Sequence, residues 1–294
     1  MSVSRAVAPG PDEDAILAHF GIDRSRLLGA GGEARVFALD AGRVLRIVHA
    51  GDAPPDPRPA ELLESWAGAD IGVALPRVLD RGRTGRQSWT VDRRIPGRPL
   101  ADVLRETPRA DRRRRLLLAL VDAACHLRAL PIGAGGFRAL CTDDPPALGL
   151  ADLLDRRIGV ATALTWTSLE RRVPALGRER ARLGEELSGR EVAPAFVHLD
   201  LYPGNALVEG NTITGVCDIS VHALAADPVL DEVGAVCLLD GYEGARQDSR
   251  VLRAVLAERL GDEGWLVDSY RRFYGFYYAM DAALLDWAGE QFRP

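Results

Sequence analysis

The stretch FVHLDLYPGNALV at residues 196–208, followed by GVCDIS at 215–220, constrains the fold of this chain more than any other part of it. Apolar AFVHL and ALV flank a polar loop, EGN at 209–211 is a turn signal, and TITGVCDI is a β-branched run. Together they read as strand, loop and hairpin, with an acid at the exit of the last strand. Asn205 stands five residues after Asp200, and Asp218 thirteen residues after Asn205. A plain polar turn is the competing reading, because Asp, Pro, Gly and Asn are ordinary turn residues. The apolar and β-branched flanks argue against it.

A carboxylate, a neutral amide and a second carboxylate in this order meet the needs of phosphoryl transfer. One carboxylate has to accept the hydrogen bond of a substrate hydroxyl beside a metal-bound triphosphate. An amide oxygen five residues on reaches the metal without adding repulsion. A third, anionic group from a neighbouring strand holds the ion from a second direction. Asp200 is therefore the candidate base, and Asn205 and Asp218 are the candidate Mg²⁺ ligands.

The chain has 294 residues, 47% hydrophobic and 27% charged, enough for a large core in one two-lobed unit or in two domains. The N-terminal MSVSRAVAPGPDEDAILAHF has no apolar core of the secretory type, and the longest apolar run, LLLALV at 116–121, is too short to span a bilayer. Cys125, Cys141, Cys217 and Cys237 show no metal-ligand spacing and read as small buried hydrophobes in a reducing compartment. These features predict a soluble cytoplasmic protein. All 37 basic residues are Arg, which reads as codon bias but leaves any role of Lys to Arg. A net charge of −5 argues against a nucleic-acid binder. Residues 227–294 carry 13 acids against 7 Arg. A solvated helical face explains that excess, and so does the wall of a pocket for a cationic ligand.

Strand signals dominate the first hundred residues. RLLGAGGEARVFALDAGRVLRIVHA (26–50) reads as an antiparallel meander, ELLESWAGA (61–69) as a helix, and GVALPRVLDRG and RQSWTVDRRIPG as two more strands. From residue 100 on, apolar residues recur at helical spacing, as in DRRRRLLLALVDAACHLRAL (111–130), and 151–190 predicts two further helices. The expectation is an α+β chain of two lobes: residues 1–95, small and sheet-based, and residues 96–294, larger and mainly helical.

Within the first lobe GAGGEA (29–34) sits between two strands, so it is not a dinucleotide fingerprint, which needs a following helix, nor a Walker loop, which needs Gly-Lys-Ser/Thr. It fits a glycine hairpin whose amides cover nucleotide phosphates, with Gly29, Gly31 and Gly32 as its candidates. A hairpin turn alone also uses glycines. In VLRIV, Arg46 is the candidate phosphate cation, and Glu61, preferred over Glu64, its candidate partner. A solvent-facing strand Arg and a helix-opening Glu are the plain alternatives.

The chain resembles the aminoglycoside phosphotransferase and choline kinase family, a branch of the protein-kinase-like fold. The likeness runs through LGAGGEARVF, VLRIV, PRVL, DRRIPGRPL, LRALP, HLDLYPGNALV, GVCDIS and ADPVLDEVGAV. It implies ATP (GTP possible) and Mg²⁺ as cofactors, with ATP between a small antiparallel-sheet N-lobe and a larger helical C-lobe. It further implies adenine bound by backbone near Arg93 and Ile95, and Asp231 bracing the catalytic loop rather than touching substrate. His198 is expected to be structural. Three departures stand out: Arg46 for the family's lysine, Leu199 for the Gly after the loop His, and Asp92 where an apolar residue backs the adenine.

For the acceptor, no long hydroxyl-bearing activation segment separates Asp218 from Asp227 and no Ala-Pro-Glu follows, which disfavours a protein substrate. Trp265, Tyr270, Phe273, Tyr274, Phe276, Tyr277, Tyr278, Trp287 and Phe292 are half of the chain's aromatics and mostly core. Mixed with Asp240, Glu243, Asp268, Asp281 and Asp286, they suggest a pocket for a cationic, partly apolar small molecule with a free hydroxyl. The resemblance puts an aminoglycoside first, then a macrolide, sugar or amino alcohol. A non-catalytic nucleotide-binding relative is the alternative of a different class. Nucleic acid and membrane are not expected partners.

Overall fold

The computed structural model describes residues 8–31, 34–48, 56–241 and 245–293. Helix α1 (Glu13–His19) leads into strands β1 (Leu27–Ala30), β2 (Ala34–Ala38) and β3 (Arg43–Val48); helix α2 (Arg58–Ser65) precedes β4 (Val78–Thr84) and β5 (Gln87–Arg93). The five strands form one antiparallel sheet in the order β1-β2-β3-β5-β4. Alternation sorts its two faces. Phe37, Leu45, Ile47 and Val91 project to one side and close a small core with Ile16 and Leu17 of α1. Val36, Arg46 and Thr90, in register across β2, β3 and β5, lie on the other side.

The larger part follows as β6 (Arg98–Pro99), α3 (Leu100–Arg105), α4 (Ala110–Leu127), β7 (Arg138–Ala139), α5 (Leu150–Thr162), α6 (Trp166–Glu170), α7 (Leu176–Ser188), β8 (Ala195–Val197), β9 (Ala206–Glu209), β10 (Thr212–Val216), β11 (Leu224–Ala226), α8 (Val229–Cys237), α9 (Arg246–Leu260), α10 (Leu266–Tyr278) and α11 (Leu285–Glu290). Three helices thus occupy 151–190 where two were expected. Two small sheets, β10-β9-β6 and β7-β11-β8, carry the polar loops. In α4 the residues Leu116, Leu117, Leu120, Val121, Ala124 and Leu127 recur at helical spacing and are buried, and α8 is buried along its whole length.

The two cores do not divide at residue 95. Trp66, at the end of α2, donates its indole N–H to Pro131 O (2.7 Å) and meets Phe196 edge-on at 4.9 Å. Trp66 and Ile71 belong to the large core, so α2 docks on the helical part rather than on the sheet. Where the parts join, Ala74 N–H donates to Thr214 O (2.9 Å) and Val216 N–H to Ala74 O (3.0 Å). Gly97 is required here: its φ is 110°, and a Cβ would lie 2.9 Å from Val208 O.

Candidate active site

The chain leaves β8 through a left-handed residue. Leu199 has φ 67°, a conformation that costs a non-glycine residue roughly 1 kcal/mol. Asp231 in the first turn of α8 holds the bend, accepting from His198 N–H at 2.7 Å (Oδ2) and Leu199 N–H at 2.9 Å (Oδ1). Leu199 and Leu201 are fully buried, which leaves Asp200 between them half-buried. His198 Nδ1 accepts Asp200 N–H at 3.3 Å, so its proton sits on Nε2 and points at Cys217 O, 3.0 Å away. Burial pushes the His198 pKa down and keeps it neutral. It is a strut, as expected, and both ring nitrogens are committed to backbone.

One turn of 3₁₀ helix, Pro203–Asn205, brings Asn205 back onto Asp200. Asn205 Nδ2 donates to Asp200 O (2.9 Å) and to Asp200 Oδ2 (3.1 Å), and its Oδ1 has no partner among the described residues. Cys217 N–H donates to Asn205 O at 2.9 Å, and this backbone bond sets the next residue, Asp218, alongside. Asp218 is exposed, has φ 66°, and makes no hydrogen bond or ion pair among the described residues. A non-glycine residue held left-handed at a cleft is the kind of strain that clusters at functional sites. The sequence-predicted trio therefore assembles. Asn205 Oδ1 and the Asp218 carboxylate are hard oxygen donors of the kind that suits Mg²⁺. No group of three or more His, Cys, Asp or Glu side chains gathers among the described residues, so a metal here would take its remaining ligands from phosphate and water.

The sheet supplies the other half. Gly31 N–H donates to Ala34 O at 2.9 Å and closes the β1–β2 hairpin, so that amide is committed; the space above Gly29 is open, and Gly32 lies outside the described residues. Arg46 lies on the face opposite α1, and its charge lowers the pKa of the Cys217 thiol, which burial first and then Asp218 push up; Arg46 thus acts on the residue next to Asp218. Its expected pairing with Glu61 is not formed. Arg46 Nε lies 3.7 Å from Asp92 Oδ2, whereas Glu61 is exposed on α2 with no ion pair among the described residues. The physical reason is the docking of α2: Trp66 ties that helix to the large core, and Asp92, two positions along β5 from Arg46's cross-strand neighbour Thr90, fills the gap. Asp92 is buried, and burial raises its pKa against the pull of Arg46 and of Thr90 Oγ1 (3.1 Å). Arg93 is exposed with its N–H bonded to Arg77 O (2.8 Å), while Ile95 is buried and its N–H has no partner among the described residues.

Aromatic residues of α10 and α11 pack beside Asp200, Tyr278 in contact with it and Tyr277 and Trp287 buried in the large core. Tyr278 donates its hydroxyl to Asp200 Oδ1, and its ring meets Trp287 edge-on at 5.7 Å. Tyr277 reaches His222 Nδ1 at 2.6 Å, and the Arg157 guanidinium of α5 sits over the Tyr277 ring, 5.9 Å from its centre. Three of the five acids expected in an acidic wall are exposed and engaged elsewhere. Asp286 pairs with Arg172 and Asp268 with Arg271 on the outer surface, and Asp281 caps the turn before α11. Asp240 is half-buried, and Glu243 lies outside the described residues. The sequence reading missed both the Tyr278–Asp200 contact and the Asp92–Arg46 pair, although it noted Asp92 as out of place.

The model of the phosphotransferase enzyme family, APH, matches residues 25–267. The chain belongs to that family. Solved aminoglycoside phosphotransferases share its fold. A thermostable mutant of aminoglycoside phosphotransferase APH(4)-Ia, in ternary complex with ADP and hygromycin B, is 17% identical, with 95% of each chain covered and a TM-score of 0.69. The GDP complex of aminoglycoside 2'-phosphotransferase-IIIa is 22% identical over 94% of this chain and 93% of that one, with a TM-score of 0.60. A GDP and kanamycin complex of APH(2")-IIIa is 21% identical over 94% of each chain, with a TM-score of 0.61. Among curated protein sequences none matches the chain significantly. The fold is thus kinase-like, and family membership makes the chain a phosphotransferase.

Proposed function

We propose that this chain is an ATP-dependent O-phosphotransferase of the cytoplasm that phosphorylates a hydroxyl of a small molecule, with an aminoglycoside antibiotic the leading acceptor class. The observation that carries the reading is Asp200, half-exposed and fixed by Asn205, beside two oxygen donors without partners among the described residues, Asn205 Oδ1 and the Asp218 carboxylate. Asp200 accepts the acceptor's O–H and takes its proton as that oxygen bonds to the γ-phosphorus. The bond from the γ-phosphorus to the bridging oxygen breaks, and its electron pair leaves with ADP. Asn205 and Asp218 would hold Mg²⁺, which supplies neutralisation of charge on the transferred group. Arg46, held by Asp92, faces the phosphates, and Ile95 N–H faces the adenine edge with Arg93 backbone beside it. Gly29 lies in the hairpin that would cover the phosphates, and Glu61 has at most a peripheral part. The nucleotides and aminoglycosides bound by the structural neighbours support this reading.

A second reading rests on the acceptor wall. Asp268, Asp281 and Asp286 are exposed and engaged elsewhere, and Tyr278, half-buried, contacts Asp200 with Tyr277 and Trp287 packed behind it. Such a wall suits a less cationic, largely apolar acceptor of the macrolide kind. A coupled nucleotide-consumption screen over aminoglycosides, macrolides, sugars and amino alcohols, with mass spectrometry of the product, tests both. Turnover with an aminoglycoside supports the leading reading, turnover confined to macrolides supports the second, and no transfer to any class contradicts the assignment as an active enzyme.

A further inference from the structure

Resting on the reading of Asp200 as base, we infer that Tyr278 is a positioning residue that holds the Asp200 carboxylate in its reactive orientation. A carboxylate on a short side chain turns about its last bond, and a base has to present one oxygen to the acceptor hydroxyl along the line of attack. Here each oxygen carries its own donor. Asn205 Nδ2 holds Oδ2 at 3.1 Å, and the Tyr278 hydroxyl holds Oδ1. The two oxygens turn together about Cβ–Cγ, so donors on both sides narrow that rotation more than one does.

The phenol suits the task because its ring packs against three others. It stacks on Tyr274 with centroids 6.0 Å apart, meets Tyr277 edge-on at 5.5 Å and Trp287 edge-on at 5.7 Å. Tyr274 is itself anchored through its hydroxyl to Leu230 O at 3.0 Å, in the same helix that carries Asp231. Two elements thus fix the catalytic loop, and the Tyr274–Leu230 bond links them. Asp231 of α8 fixes its backbone, and Tyr278 at the end of α10 fixes its carboxylate. The phenol stays protonated, since burial and the Asp200 charge raise its pKa well above the ordinary value, so it remains a donor throughout the working range. A carboxylate oxygen has two acceptor sites, so a donor on Oδ1 does not by itself bar the acceptor hydroxyl.

The test compares wild type, Tyr278→Phe, Asp200→Ala and the double variant. The probes are MgATP with water as acceptor and, in parallel, the acceptor returned by the screen. Phe keeps the ring packing and removes only the donor. Tyr278→Phe should lower kcat about 10-fold or more, the worth of a hydrogen bond to a charged group. It should leave MgATP affinity by calorimetry unchanged. The acid limb of the pH–rate profile should move to higher pH, because a carboxylate that loses a donor becomes more basic. Adding Tyr278→Phe to Asp200→Ala should change nothing further. Wild-type turnover and an unmoved acid limb in Tyr278→Phe, with Asp200→Ala inactive, overturn the inference alone. An additive loss in the double variant also overturns it, since Tyr278 would then act by another route. Near wild-type turnover in Asp200→Ala overturns the reading of the base itself.

Discussion

Asp231 commits both carboxylate oxygens to the backbone of the catalytic loop and none to a cation, and it is fully buried. Burial pushes its pKa up from the ordinary 3.8 to about 7, against the two N–H donors that favour the anion. The consequence for stability has a definite sign. Between about pH 4 and pH 7 the folded chain holds a proton that the unfolded chain has released. Stability therefore falls as pH rises through that window, by at most ~1.4 kcal/mol per pH unit from this group, and levels off above it. Asp231→Asn should remove that slope. It should also destabilise by about 1–3 kcal/mol, because an amide offers one acceptor where two N–H groups need one each. Urea unfolding of both forms across the window measures this; equal slopes for the two would assign the pH dependence elsewhere. Leu199 shows a related compromise. Its left-handed backbone would suit Gly, but its side chain is fully buried in the core, and burial of a leucine outweighs roughly 1 kcal/mol of backbone strain.

At the level of strands and helices, the β8–β10 segment was legible because its chemistry is local. Strand signals, turn residues and functional side chains all lie within about two dozen positions, and the backbone bond from Cys217 to Asn205 completes what the spacing implies. The sheet was legible for the same reason. What the sequence concealed depends on docking. Nothing local says that Trp66 binds Pro131 and Phe196, and once it does, Glu61 is left on the surface and Asp92 meets Arg46. Nor does spacing bring Tyr278 to Asp200 across 78 positions. The pairing makes a sharp prediction. Asp92→Ala should weaken MgATP binding several-fold by releasing Arg46, a loss on the scale of about 1 kcal/mol for a partly buried pair. Glu61→Ala should leave it unchanged. Calorimetry of the two variants decides the matter, and the reverse result would restore Glu61 as the partner.

Across the described residues, several acids of the last quarter are engaged in surface ion pairs. Asp286 pairs with Arg172 and Asp268 with Arg271, Glu290 pairs with Arg246, and Arg157 has no carboxylate partner among the described residues. Surface pairs of this kind contribute about 0–1 kcal/mol each. If the acceptor wall is aromatic, affinity for the acceptor should change little between low and moderate salt, since screening beyond about 8–10 Å acts on exposed charge. A steep fall with salt would point to acids that do reach the ligand. Among the described residues, no helix is long and apolar enough to cross a membrane. The central claim is that Asp200 serves as the base of a phosphoryl transfer on nucleotide held at Asn205 and Asp218. It is tested most directly by a single-turnover measurement of γ-phosphate transfer in wild type and Asp200→Ala at saturating MgATP. The account predicts transfer in wild type and a loss of about 10²- to 10⁴-fold in the variant at unchanged nucleotide affinity. Near wild-type transfer by Asp200→Ala, or tight ATP binding by wild type with no transfer to any acceptor, would contradict it.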